Sequence, residues 1–235
     1  MLLFTIIVSL LPGFAWLFFF LREDPHPEPK HLLVFTFFMG ILYAVLALAI
    51  ENLFNFLFPA FNIQTVLNSS GAFSSVFIII SLLIFALIEE LAKFGGAYFA
   101  IHKNPEFDEP IDAMIYVVVS ALGFATLENL GALNPQGAQT ALISSIFQIA
   151  SLRFVDATLL HSLASSLVGY YWAIGIRELN VKKYLFRGIL FATILHASFN
   201  YLILQYGNIA YTLVFLVIIG FFVLNDFEKL KLKII

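Results

Sequence analysis

Long apolar stretches separated by short polar ones set the pattern of this chain. The apolar segments run roughly over residues 2–21, 32–58, 73–100, 112–132, 154–176, 185–204 and 208–224. Each approaches or exceeds the roughly 20 residues with which an α-helix, rising 1.5 Å per residue, crosses a hydrocarbon core of about 30 Å. The connections "REDPHPEPKH", "PAFNIQTVLNSSG", "IHKNPEFDEP", "GALNPQGAQ", "RELNVKKY" and "QYGN" carry the Pro, Gly and Asn of loops. Because the apolar runs are continuous rather than alternating, a β-barrel is excluded. "TALISSIFQIAS", residues 140–151, is apolar but too short to cross, and reads as a half-helix or interfacial helix. The N-terminal "MLLFTIIVSLLPGFAWLFFFL" lacks a basic leader and is too long for a cleaved signal, so it reads as a first span that stays. The pattern predicts an all-α polytopic membrane bundle of about seven transmembrane helices plus one short helix, one integral membrane domain over residues 1–235.

Composition agrees. Of 235 residues, 61% are hydrophobic and 11% charged. Phe occurs 28 times, which reads as lipid-facing and interhelical filling. The absence of Cys excludes disulfides, thiolate metal sites and a cysteine nucleophile. The net charge of -3 says little about partners, and nothing in the sequence resembles a basic patch for nucleic acid. With seven crossings, ten of the twelve basic residues fall on one side: Arg22, Lys30, Lys103, Arg177, Lys182, Lys183, Arg187, Lys229, Lys231 and Lys233. The positive-inside rule makes that side the cytoplasm, with the N-terminus outside and the C-terminus inside. Counting 140–151 as an eighth crossing would destroy this agreement.

Against that background the polar residues inside spans stand out, since intramembrane charges are costly and face a bundle interior or an aqueous cavity. Counting from the cytoplasmic end of each span at 1.5 Å per residue, Glu90 lies roughly 18 Å deep, Glu128 roughly 25 Å, His161 roughly 24 Å and His196 roughly 18 Å. Four residues from four spans thus share one layer in the outer half of the bilayer. The same count puts Glu51 at the outer edge, as an interfacial residue. Arg153 also lies near that edge, as an interface anchor or an orienting group, within i+3 reach of Asp156.

Local spacing adds chemistry to the layer. Lys93 is i+4 from Glu89 and i+3 from Glu90, so it can neutralise one carboxylate within its own helix and leave the other as a general base. The choice between them stays open. His196 and Asn200 are i and i+4 on one face, and an imidazole N–H and an amide both suit an oxyanion. Glu128, Asn129 and His161 complete the set. Gly-x-Ser-x-Gly, GxGD and HExxH are all absent. Hydrolysis by a Glu-activated water, with or without a metal, is the chemistry that remains. The same buried carboxylates and imidazoles would also serve a proton- or ion-coupled transporter, although no internal repeat of the transporter kind is present. A non-catalytic scaffold would not explain the common depth.

These residues resemble the PrsW family of intramembrane proteases, placed with the CAAX prenyl endopeptidases and bacteriocin-processing proteins in the CPBP superfamily. The resemblance runs through "EELAK" (Glu89–Lys93), "FATLEN" (Phe124–Asn129), Arg153 followed eight residues later by His161, and "HASFN" (His196–Asn200). The CAAX endopeptidases typically show FxxxH at the second motif and Arg at the position of Lys93, so Glu128 and Lys93 point to the PrsW branch. The resemblance implies a CAAX-endopeptidase-like catalytic core over about 73–205, and cleavage of membrane-embedded or membrane-anchored proteins, anti-sigma factors in the best-known members. By the same resemblance Glu89 or Glu90 activates water, Lys93 tunes it, His196 and Asn200 stabilise the oxyanion, and Glu128 and His161 hold water or a metal. Asn129 and Arg153 support them. The family is described both as metalloproteases and as glutamate-type proteases, so the implied cofactor is either none or zinc, with Glu90, Glu128, His161 and His196 as candidate ligands.

Overall fold

The computed structural model describes residues 2–67, 74–133 and 143–231. Residues 68–71 of the loop expected at 59–71, residues 134–139 of the loop expected at 131–139, the first residues of the short helix expected at 140–151, and the tail beyond 231 with Lys233 lie outside them. Among the described residues the chain forms nine α-helices and no strand: α1 Leu2–Phe20, α2 Lys30–Leu57, α3 Ile63–Leu67, α4 Ser74–Ile101, α5 Pro110–Leu133, α6 Ile143–Val155, α7 Ala157–Arg177, α8 Val181–Tyr206 and α9 Ile209–Lys231. Seven spans are long and apolar enough to cross a membrane, which makes this a multi-pass membrane bundle.

Helix ends follow local chemistry. Pro25, Pro27 and Pro29 bar helix continuation between α1 and α2, and Asp24 Oδ1 accepts the His26 backbone N–H at 2.9 Å there. α5 opens on Pro110, whose missing N–H is no loss in a first turn. Asp112 Oδ2 accepts the backbone N–H groups of Asp108 and Glu109 at 3.0 and 2.8 Å. α8 stops at Gly207, whose φ of 59° is the left-handed conformation that glycine tolerates.

The central helix is α5. Every residue from Ile111 to Thr126 is buried, and the segment has no polar face because no side of it meets solvent or lipid. α7 packs along it, and α2, α1 and α4 close the other sides. Lipid tails are as apolar as leucine, so close approach rather than water exclusion drives such contacts. Gly40 on α2 and Gly123 on α5 make that approach possible. A Cβ on Gly40 would lie 2.0 Å from the Ser120 carbonyl oxygen, and one on Gly123 would lie 2.0 Å from that of Phe37.

Two departures from the sequence reading concern helix limits. α6 runs to Val155 and meets α7 across a single residue, Asp156, at φ −120° and ψ −93°. The sequence reading ended the short helix at 151 and began the next span at 154. Neither proline nor glycine marks the break. At the other end α9 continues through Lys231, whose Nζ donates to Glu23 Oε2 at 2.6 Å, while Phe227 and Leu230 enter the core. The segment beyond residue 224, where the sequence reading ended the last span, is therefore a helix end docked on the α1–α2 connection.

Candidate active site

Five helices deliver the polar layer to one place. Glu89, Glu90 and Lys93 come from α4, Glu128 and Asn129 from α5, Arg153 from α6, His161 from α7, and His196 and Asn200 from α8. The four spans that share a depth by counting thus meet laterally as well. Phe124, one turn before Glu128, forms a wall, with its ring 5.7 Å from that of His161 and 5.1 Å from Lys93 Nζ.

Lys93 organises the centre. It has no exposed surface, and its Nζ donates to Glu90 Oε1 at 2.6 Å and to His161 Nδ1 at 2.8 Å. An ammonium can only donate, so His161 Nδ1 is the acceptor and its Nε2 carries the proton. That N–H points at Glu128 Oε2, 2.7 Å away. Glu90, also without exposed surface, accepts at the same Oε1 from His196 Nδ1 at 2.8 Å. The lone pair of His196 then lies on Nε2. The hydrogen bonds assign both tautomers.

Glu89 differs in kind. Neither of its oxygens makes a hydrogen bond among the described residues, whereas Glu90 is bonded through Oε1; its buried Oε2 faces Lys93 Nζ and His196 Nε2 at 3.7 Å each and His161 Nδ1 at 3.9 Å. A gap of 3.7 Å is too long for a direct hydrogen bond and suits one bridging water. The question of which carboxylate Lys93 neutralises has a geometric answer. It pairs closely with Glu90, and Glu89 keeps a free oxygen.

At the rim, Arg153 Nη2 donates to Glu128 Oε2 at 3.2 Å and its Nε to Asn129 Oδ1. Asn129 in turn donates to Thr158 Oγ1 at 3.2 Å and to the Ser9 carbonyl at 3.4 Å. Arg153 therefore turns to α5 rather than to Asp156, because the helix break at 156 removes the i+3 register. Trp16 supports this corner: its Nε1 donates to the Phe154 carbonyl at 2.7 Å and its ring stacks on Phe154 at 5.2 Å. Asn200 is half-buried and makes no hydrogen bond to the cluster. Ser9, Thr158 and Trp16 were not legible as parts of the site, since no spacing links α1 to α5 or α7. A Thr one turn before His161 was the only cue.

A profile of the PrsW family intramembrane metalloproteases matches residues 28–224. The chain belongs to the PrsW family. It is an intramembrane peptidase, and the alternative of an ion-coupled transporter gives way. Proteases PrsW from three bacteria illustrate the likeness. That of Geobacillus kaustophilus is 32% identical over 197 residues, 82% of this chain and 76% of its own. That of Bacillus subtilis is 26% identical over 97% of both chains. That of Clostridioides difficile is 28% identical over 95% of this chain and 90% of its own. No solved structure matches significantly.

The family description raises the fit of a metal. Glu89, His161 and His196 each offer a ligand atom, all within 4.8 Å of one another, and two imidazoles with a carboxylate form a zinc-binding set. Of the four ligands expected from sequence, the two histidines belong to this trio. Glu90 and Glu128 are instead engaged with Lys93, His196, His161 and Arg153. The trio fits one ion on one condition: His161 Nδ1 must give up Lys93. When bound, the ion would supply Lewis-acid polarisation and a more acidic water.

Proposed function

We propose that this PrsW family peptidase hydrolyses its substrate with a water held between Glu89 Oε2 and His196 Nε2. The observation that carries the proposal is the buried Oε2 of Glu89, without a hydrogen-bond partner among the described residues and 3.7 Å from an imidazole nitrogen with a free lone pair. Both groups accept hydrogen bonds from the water, which leaves its oxygen lone pair for the scissile carbonyl. Glu89 takes the proton as general base and returns it to the leaving amine. Glu90, clamped by Lys93 and His196, positions the imidazole and stays out of the chemistry. Glu128 holds the His161 ring, and Arg153 with Asn129 holds Glu128. Asn200, one turn from His196 with an uncommitted amide, donates to the oxyanion.

The substrate is a membrane-anchored protein cut on its extracytoplasmic side. Depth counting supports this, together with ten basic residues on the opposite side. An anti-sigma factor as substrate rests on the sequence resemblance alone. The test is reconstitution with a single-pass substrate, comparing wild type with Glu89→Gln, His196→Ala and Asn200→Leu. Cleavage by wild type that is lost in the first two and weakened in the third is expected. Cleavage that survives both Glu89→Gln and His196→Ala removes the assignment. A chelator in the same assay separates ion-assisted from ion-free hydrolysis.

A further inference from the structure

Glu51 on α2 has no place in the mechanism above. It is half-buried, six residues before the end of its helix, and no hydrogen bond or ion pair joins it to another described residue. Glu90 and Glu128, by contrast, each have a cation within 3.2 Å. The charged groups acting on Glu51 include Glu128 and Glu89, which repel it, and Lys93, which is committed to Glu90 and His161. A carboxylate kept in a membrane span without a partner marks a functional position.

Glu51 lines a cavity of about 430 Å³ bounded by α2, α5 and α6, whose wall also contains Glu128 and Arg153. The cavity thus reaches the catalytic cluster through a shared residue. The rest of its wall is apolar: Ala44, Ala47 and Leu48 on α2, and Phe124, Leu127, Gly131 and Ala132 on α5; a Cβ added at Gly131 would meet no atom of the described residues within 4 Å. Among the described residues nothing packs closely on Gly131, so a side chain there would narrow the cavity without a clash.

We propose, building on the hydrolytic reading, that this cavity receives the substrate segment beside the scissile bond and that Glu51 selects a basic side chain there. A carboxylate only accepts hydrogen bonds, and Lys and Arg only donate them. Their long apolar stems suit a wall of Ala, Leu and Phe side chains, with the charged head reaching the acid. Arg153 does not compete for Glu51, because its guanidinium is engaged with Glu128 and Asn129. The selection also discriminates well. Basic residues are scarce on the outer flanks of membrane spans, so an acid at this depth passes over most bystander proteins.

The experiment moves a single Lys through the positions flanking the cleavage site of an otherwise neutral single-pass substrate. kcat/KM for each Lys substrate is divided by that of its Gln counterpart, so that the fraction of active enzyme cancels. The wild type is expected to prefer Lys at one position by about tenfold or more, as for a hydrogen bond to a charged group. Glu51→Gln should bring that ratio to near one, and Glu51→Lys should favour Glu at the same position. Gly131→Val, which the backbone accommodates, should raise KM for Lys and Gln substrates alike. A wild type that cuts but shows no Lys preference, or a preference that survives Glu51→Gln, overturns this proposal alone. A wild type that cuts no substrate overturns the hydrolytic reading and this one with it.

Discussion

Glu89 and Glu90 are adjacent in sequence but differently surrounded, so their glutamine variants should fail in opposite ways. In Glu90→Gln, the carboxylate whose Oε1 takes both Lys93 Nζ at 2.6 Å and His196 Nδ1 at 2.8 Å loses its charge. Neither Glu90 nor Lys93 has exposed surface, so water cannot replace the missing counter-charge. Removing one partner of a buried ion pair destabilises by about 3–5 kcal/mol. Lys93 keeps His161 Nδ1 at 2.8 Å and Glu89 at 3.7 Å, which places the expectation near the lower end, about 3 kcal/mol. Glu89 makes no hydrogen bond among the described residues, and its Oε2 is unpartnered. Glu89→Gln should therefore change stability by about 1 kcal/mol or less, while removal of the base lowers kcat by about 10²–10⁴-fold. Denaturant unfolding in one detergent gives the first quantity, and cleavage in proteoliposomes, corrected for the folded fraction, gives the second. A Glu90→Gln protein as stable as wild type would refute the ion-pair reasoning. A Glu89→Gln protein with undiminished kcat would refute the choice of base.

Three further outcomes follow. Lys93→Gln frees His161 Nδ1 and removes a positive charge from the Glu89–His161–His196 trio, so the zinc content of the purified protein should rise above that of wild type. Equal content would mean that Lys93 does not compete for the site. Glu28, in the α1–α2 connection, is buried and accepts the Tyr116 hydroxyl at 2.5 Å, and burial raises its pKa to about 8. Because its folded value lies above the unfolded one, its protonated form contributes stability that is fully present below about pH 4.5 and is lost as pH rises through about 8. Thermal unfolding between pH 5 and 9 should show wild type losing stability with rising pH and Glu28→Gln losing much less; parallel curves would exclude Glu28 as the source. Gly123→Ala places a Cβ 2.0 Å from the Phe37 carbonyl oxygen and should destabilise by about 1–3 kcal/mol, as overpacking does, measured by the same unfolding assay.

Axial position was legible in the sequence and lateral position was not. Helix rise converts residue number into depth, which is why Glu90, Glu128, His161 and His196 could be assigned one layer before any contact was known. The choice between Glu89 and Glu90 was not legible, because i+3 and i+4 both reach Lys93. His196 decides it, by bonding Glu90 from another helix. Depth counting likewise described Glu51 as an edge residue, and only the packing of α2 against α5 shows the cavity beside it. The break at Asp156 was hidden because apolar residues flank it on both sides. The missing break also misdirected Arg153, whose i+3 partner exists only in an unbroken helix.

The close approach of α2 and α5, Gly40 against Ser120 and Gly123 against Phe37, has a mechanical consequence. Backbones that touch with no side chain between them leave nothing to compress, so α2 cannot part from α5 at that depth without losing the contact altogether. Gly40 is therefore a fulcrum, and the stretch of α2 beyond it is a lever. Glu51 sits eleven residues along, an arm of about 16 Å, so a tilt of about 10° swings it about 3 Å. Parting α2 from α5 at the end that carries Glu51 thus needs no rearrangement at the level of the glycines, and the half of the bundle on the other side of Gly40 can stay closed.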